Sequence, residues 1–218
     1  MYKNKFNSLI ILIPAFNELK NFQKQLILLK KKYNILVVDD GSSDGTERFL
    51  QKSKINYIRN KKNLGYEESL KKGLIYLTKK KKFRFILTMD ADCQHKNFYI
   101  EKMYDYMRKN DFDLVAGSRY KKNRNLEKII SGVSNLKFKI KDPLSGFKIY
   151  KKDKIKQINL RKLRYFFLVD LTIFFIKKNF KVSNYDILTN KRKDNPRVGN
   201  FLKSNLKLIK ILIYLIFK

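Results

Sequence analysis

Short, strongly apolar runs alternate along the chain with longer stretches in which apolar residues recur every three or four positions among lysines. Ser8–Ile13, Ile35–Val38 and Phe85–Met89 are brief and bounded by polar residues, the pattern of strands buried on both faces. Ile55–Arg59 and Asp113–Ala116 read as further strands. Leu19–Lys31, Gly45–Lys54, Tyr66–Lys80, Asn97–Lys109 and Tyr165–Lys178 carry helical spacing. Lys121–Lys141 is polar and basic, which predicts a mobile loop able to close over a ligand. Asp142-Pro143-Leu144-Ser145-Gly146-Phe147-Lys148 then re-enters a strand. The alternation predicts an α/β fold with a mostly parallel central sheet and helices on both faces. Neither internal repeats nor a Pro/Gly-rich linker divide it. One domain is expected over residues 1–200, followed by an amphipathic helix over 201–218.

Three of the strands run into polar or acidic clusters. The first ends in Pro14-Ala15-Phe16-Asn17-Glu18, the second in Asp39-Asp40-Gly41-Ser42-Ser43-Asp44-Gly45-Thr46, and the third in Asp90-Ala91-Asp92-Cys93-Gln94-His95. In a parallel sheet these ends share one edge, where ligands bind. Asp90 and Asp92 are hard oxygen donors one residue apart, suited to an octahedral Mg²⁺ or Mn²⁺ that also holds a diphosphate. A carboxylate at the end of the second strand can accept hydrogen bonds from a base or from ribose hydroxyls, or simply cap the turn. Asp44 or Thr46 can cap the helix that follows.

The ordered segments PAFNE, VVDDGSSDGT, NLGYEESLKKGL, TMDADCQH, VAGSRY and DPLSGFKIY resemble a family 2 glycosyltransferase with the GT-A nucleotide-sugar fold, in the dolichyl-phosphate mannose synthase and polyprenyl-phosphate glycosyltransferase branch. The resemblance runs from about Leu9 to Gly199. It implies metal-dependent, inverting transfer of a sugar from a GDP- or UDP-sugar to a polyprenyl phosphate; transfer to a sugar hydroxyl, or a non-catalytic sugar-nucleotide-binding subunit, are the alternatives. It places Pro14, Phe16, Glu18, Val38 and Asp40 in the nucleotide pocket, joined by Asp90, Ala91 and Asp92. Phe16 stands where Tyr is usual, keeping a stacking surface without the phenol. Asp90, Asp92 and Gln94 correspond to the metal and diphosphate site. Arg119 and Lys148 correspond to cations near phosphates, with Lys148 where many relatives carry Arg, which loses bidentate binding. By the same resemblance Asp92, Arg119 and Asp170 are the catalytic candidates. Asp170, or Asp142, is the candidate base if the acceptor is a hydroxyl. The basic segment Lys191–Gly199 resembles one that meets the acceptor phosphate.

Charge widens the choice of partners. Lys and Arg number 51 against 19 Asp and Glu, a formal net charge of +32. Only 10 of the 51 are Arg, a bias that fits an AT-rich coding sequence and a solvated coat as well as an anionic membrane surface. The lysines are dispersed and no DNA- or RNA-binding motif is present, so nucleic acid is not expected as a partner. The single cysteine, Cys93, excludes an intramolecular disulfide and fits a reducing compartment, and one Cys with one His makes no zinc site. Met1–Lys5 leads into a strand, so no signal peptide is expected. The apolar stretch Leu208–Phe217, interrupted by Lys210, is too short to span a bilayer; read with Phe201–Lys207 it makes a helix of Leu and Ile with lysines at 203, 207, 210 and 218. It suits a membrane interface, or else packing on the domain or a second subunit. A cytoplasmic protein at the inner face of the cell membrane is expected, with a separate membrane subunit or a homo-oligomer as further partners.

Overall fold

A computed structural model of the chain describes residues 5–122, 124–163, 166–190 and 201–218. The basic segment Lys191–Gly199 and Tyr165 lie outside the described residues. The strands are β1 (Leu9–Ala15), β2 (Asn34–Asp39), β3 (Asn56–Arg59), β4 (Phe85–Thr88), β5 (Leu114–Arg119), β6 (Lys148–Lys151) and β7 (Val182–Ile187). They form one sheet in the order β3-β2-β1-β4-β6-β5-β7. β6 runs antiparallel to both its neighbours, and every other pairing is parallel.

Helices cover both faces, as expected of a parallel sheet whose strands have no wet side. Side chains alternate along β1, so that Leu9, Ile11 and Ile13 face one helical layer while Ile10 and Leu12 face the other. The first layer contains α1 (Leu19–Lys30), α2 (Thr46–Lys52) and α4 (Phe98–Lys109), packed through Phe22, Leu26, Leu50, Ile100 and Met103. The second contains α3 (Tyr66–Thr78), α6 (Lys152–Lys156) and α7 (Phe167–Lys177), packed through Leu70, Leu74, Ile155, Phe167 and Leu171. Gly73 of α3 lets that helix close on the sheet, since a Cβ there would lie 2.4 Å from a Leu12 methyl.

Residues 121–141 depart from the expected loop. They contain α5 (Asn125–Phe138), whose Ile130 is fully buried with Leu126, Val133 and Phe138 packed beside it. Those positions follow helical spacing, but lysines and asparagines dilute the pattern. The partner of this face is α8 (Phe201–Phe217), at the far end of the chain. Leu208, Ile211 and Leu215 of α8 join Ile130 of α5 and Val169 and Ile173 of α7 in a third apolar cluster. Lys137 donates to the carbonyls of Leu215 and Ile216, capping the last turn of α8. The terminal helix is thus packed on the domain by one face.

Candidate functional site

The carboxyl ends of β1, β2 and β4 meet at one edge, and hydrogen bonds between their loops fix the edge as a unit. Asn17 donates its N–H to Ser42 Oγ at 2.9 Å and accepts from the Ser43 N–H through Oδ1 at 2.7 Å. Asp44 accepts from the N–H of Thr46 at 3.1 Å and from that of Leu19 at 2.9 Å, so one carboxylate caps both α2 and α1. Arg59 closes the outer side with Asp39 at 3.1 Å and Glu47 at 2.6 Å.

A cavity of about 780 Å³ opens beside these loops, lined by Pro14, Phe16, Glu18 and Asp40 together with Asp90, Ala91 and Asp92. The expected pocket residues are therefore brought together, with exceptions that the backbone explains. Val38 is fully buried in the cluster with Leu36 and Leu74 and is not among the lining residues, so it lies in the core instead of the pocket. Asp40 is 2% exposed and already accepts from Asn60 Nδ2 at 2.7 Å, the Leu64 N–H at 2.9 Å and the Gly65 N–H at 2.8 Å. Its first task is to fold the loop that leads into α3. A carboxylate offers about four lone-pair directions, so one of them remains for a ligand.

Asp90 sits at the centre of a network. Tyr66, the first residue of α3, donates its hydroxyl to Asp90 Oδ1 at 2.6 Å, and His95 Nε2 lies 3.1 Å from Oδ2. The His95 ring stacks on Phe147 with centroids 4.6 Å apart. Burial pushes the Asp90 carboxyl up, but His95, Tyr66 and the nearby Arg119 outweigh it and hold its pKa below the usual range. Gly146 makes room for this arrangement, since a Cβ there would fall 2.2 Å from Asp90 Oδ1 and 2.5 Å from the Tyr66 hydroxyl. Asp92 Oδ1 accepts from the Gln94 N–H at 3.1 Å, which shapes the turn, while the Gln94 amide donates to the Asn190 carbonyl at 3.4 Å.

Asp90 and Asp92 are the hard donors on the cavity wall. Among the described residues no three or more His, Cys, Asp or Glu side chains gather as a ready-made cage. That donor set fits Mg²⁺ or Mn²⁺, which accept one or two carboxylates and complete their octahedra with substrate phosphates and water.

The two expected phosphate cations lie behind this wall rather than among the lining residues. Arg119 is engaged by Asp142, through Nε at 2.8 Å and Nη2 at 3.1 Å, with Glu127 3.6 Å away. Lys148 is fully buried and donates to the Pro143 carbonyl at 2.8 Å. Burial pushes its pKa down to about 8, against the opposing pull of Asp142 and Asp90. Asp170 is also taken: Tyr214 of α8 donates to its Oδ1, and Asp170 is absent from the cavity lining.

Among the lining residues that the sequence reading did not assign to the site are Glu67 and Lys207. Glu67 Oε2 accepts from the Phe167 N–H at 3.2 Å, while Oε1 lies 3.0 Å from Lys207 Nζ, so the N-terminus of α3 is tied to both α7 and α8. The segment NLGYEESL carried the hint for Tyr66 and Glu67. Nothing local announces Lys207.

Residues 10–162 match the family model described as "Glycosyl transferase family 2". An uncharacterized protein of Methanocaldococcus jannaschii is 40% identical over 130 residues, covering 56% of this chain and 57% of that protein. The dolichol-phosphate mannosyltransferase of Pyrococcus furiosus is 28% identical over 186 residues, covering 75% and 51%. The chain spans about half the length of the curated relatives it matches. Among solved structures, glucosyl-3-phosphoglycerate synthase from Mycobacterium tuberculosis with phosphoglyceric acid superposes at TM-score 0.74 and 14% identity, covering 96% of this chain and 80% of that one. The same synthase in complex with Mn²⁺, uridine-diphosphate and glucosyl-3-phosphoglycerate gives TM-score 0.73 and 12% identity, covering 96% and 78%. These likenesses establish an α/β GT-A fold.

Proposed function

The chain belongs to glycosyl transferase family 2, and on that premise we propose that it is a divalent-metal-dependent, inverting glycosyltransferase that moves a sugar from a nucleoside-diphosphate sugar to a polyprenyl phosphate. The observation that carries this reading is one cavity lined both by Asp90 and Asp92 and by Phe16, Glu18 and Asp40. A nucleoside lies on the β1–β2 side, its base against Phe16 and its hydroxyls or base edge toward the remaining acceptor direction of Asp40. The diphosphate then lies toward Asp90 and Asp92.

Asp90 and Asp92 are the residues that would hold Mg²⁺ or Mn²⁺, which offsets the negative charge developing on the leaving diphosphate. Tyr66 and His95 keep Asp90 oriented and ionised for that purpose. An oxygen of the acceptor phosphate forms the new bond to the anomeric carbon, on the face opposite the diphosphate. The bond from that carbon to the diphosphate oxygen breaks, and the nucleoside diphosphate leaves with the electron pair. A phosphate monoester is already ionised near neutral pH, so no side chain need remove a proton. This agrees with a site in which Asp170 and Asp142 are both committed to partners, Tyr214 and Arg119. The favoured acceptor accords with the likeness to the Pyrococcus furiosus dolichol-phosphate mannosyltransferase.

Among the described residues no helix is long and apolar enough to cross a membrane. We place the protein at the inner face of the cell membrane, and a peripheral position is what the outer side of α8 supports, where Leu206, Ile209, Ile213, Ile216 and Phe217 are exposed beside lysines. The deciding experiment offers the protein a panel of GDP- and UDP-sugars with and without Mn²⁺, with a prenyl phosphate as acceptor. Metal-dependent formation of a prenyl-phosphate sugar is the expected result. Failure with every donor, or equal rates in the presence of excess chelator, overturns the reading.

A further inference from the structure

The cavity holds an imbalance of charge. Glu18, Asp40, Glu67, Glu68, Asp90 and Asp92 all line it, and among the described residues the only cation in the lining is Lys207. A divalent ion at Asp90 and Asp92 answers the charge of a donor diphosphate. It does not provide for a second anion arriving beside these six carboxylates. Lys207 belongs to α8, outside the residues 10–162 that match the family model. Resting on the acceptor class proposed above, we infer that Lys207 binds the phosphate of the prenyl-phosphate acceptor, and that the outer row of the same helix receives its chain.

The helix is built for two tasks at once. Leu208, Ile211 and Leu215 face inward and are buried, while Leu206, Ile209, Ile213 and Ile216 face outward at spacings of three and four residues. From Leu206 to Ile216 this outward row covers about 15 Å of helix. Lys207 and Tyr214 occupy the flank between the two faces, directed at Glu67 and Asp170. An amphiphile whose phosphate meets Lys207 therefore has an apolar surface for its tail starting at the adjacent residue, Leu206.

The pair with Glu67 is suited to exchange. Lys207 is 49% exposed and Glu67 24% exposed, and an ion pair this wet is weak. A phosphate monoester carries up to two charges and three acceptor oxygens, so it competes well for the ammonium. Glu67 keeps the Phe167 N–H when Lys207 turns away, so neither α3 nor α7 is released.

The test uses the full chain and farnesyl phosphate, a short prenyl phosphate, with farnesol and inorganic phosphate as separate arms. Binding is followed by calorimetry for the native protein, Lys207→Met and Lys207→Arg, with thermal unfolding as the check on folding. The native protein is expected to bind farnesyl phosphate more tightly than either farnesol or phosphate. Lys207→Met is expected to lose at least about tenfold, falling to the level of farnesol, and Lys207→Arg to keep most of the affinity. Affinity for a nucleoside diphosphate with Mn²⁺ should stay within about twofold in both variants. Farnesyl phosphate bound no better than farnesol, no loss in Lys207→Met, or an equal loss toward the nucleoside diphosphate each overturns the assignment. Inorganic phosphate bound as tightly as farnesyl phosphate overturns the part played by the outer row. These are binding measurements, so they decide the role of Lys207 whatever the transfer assay returns for the reaction.

Discussion

The hydroxyl of Tyr66, at the start of α3, stands 2.6 Å from Oδ1 of Asp90 at the end of β4. Both residues line the cavity, so the bond sets the direction of the carboxylate there. Tyr66→Phe keeps the ring and removes this bond. A hydrogen bond to a charged group contributes about 1.5–3 kcal/mol, so transfer should fall by tenfold or more at saturating Mn²⁺. The same bond contributes to the fold, so a fall of several degrees in melting temperature should accompany the loss of transfer, with the variant still folded at assay temperature. Unaltered kcat/KM in Tyr66→Phe refutes an orienting role.

Gly146→Ala tests the same arrangement from behind. The added methyl group would sit 2.2 Å from Asp90 Oδ1, closer than any contact allows, and the neighbouring wall is buried. Either Asp90 swings away or the β6 approach shifts, and both spoil the metal-binding geometry. Loss of Mn²⁺-dependent nucleotide binding, out of proportion to any fall in melting temperature, is the expected outcome. A variant that binds nucleotide and metal normally would show that the wall is softer than these distances imply.

Lys148 makes a prediction of opposite sign, in which removing a charge stabilises the fold. Its pKa falls from an ordinary value near 10.4 to about 8 because its ammonium is buried. Below about pH 8 the lysine is charged in both folded and unfolded states, and the folded state bears the full cost, about 3 kcal/mol. As pH rises from about 8 toward 10, the unfolded chain binds more protons than the folded one, so this cost is progressively lifted. Lys148→Met forfeits the charge-assisted bond to the Pro143 carbonyl, about 1.5–3 kcal/mol, leaving a net gain of at most about 1.5 kcal/mol at pH 7. Denaturant unfolding at pH 7 and pH 9.5 measures it. The advantage of Lys148→Met should shrink at the higher pH, and a destabilised variant at pH 7 would show that the buried charge is better compensated than its surroundings suggest.

Some of this was legible in the chain and some was not, for identifiable reasons. β1, β2 and β4 are covered on both faces, so their sequences are unbroken apolar runs that announce themselves, and the acidic residues that end them had to share an edge. The motif around Asp40 located the turn without revealing that its carboxylate serves Leu64 and Gly65 first. The family resemblance put Val38 in the pocket, yet its side chain packs into the core with Leu36 and with Leu74 of α3. α5 was hidden because its apolar face is narrow and its partner, α8, begins more than sixty residues later. Lys207 and Glu67 are 140 residues apart, and no local pattern encodes their meeting.

The outer face of α8 gives the last prediction. Deleting the helix would be a poor test of membrane binding, because Leu208, Ile211 and Leu215 fill a cluster with Ile130 and Val169 that would then be opened to water. Substitution of the outward row separates the two roles. Ile209 is 40% exposed and Ile213 51% exposed, so Ile209→Glu with Ile213→Glu leaves the inner face intact. The change removes two apolar contacts from an interfacial helix and places two negative charges beside Lys210, against an anionic surface that attracts lysines by about 1 kcal/mol each. The native protein should co-sediment with vesicles containing anionic lipid, and the double variant should remain in the supernatant with its melting temperature within a few degrees of native. Transfer to a prenyl phosphate in detergent should survive better than transfer to the same lipid in vesicles. Equal sedimentation of the two proteins would remove the outer row of α8 as the membrane contact and direct attention to the dispersed lysines instead.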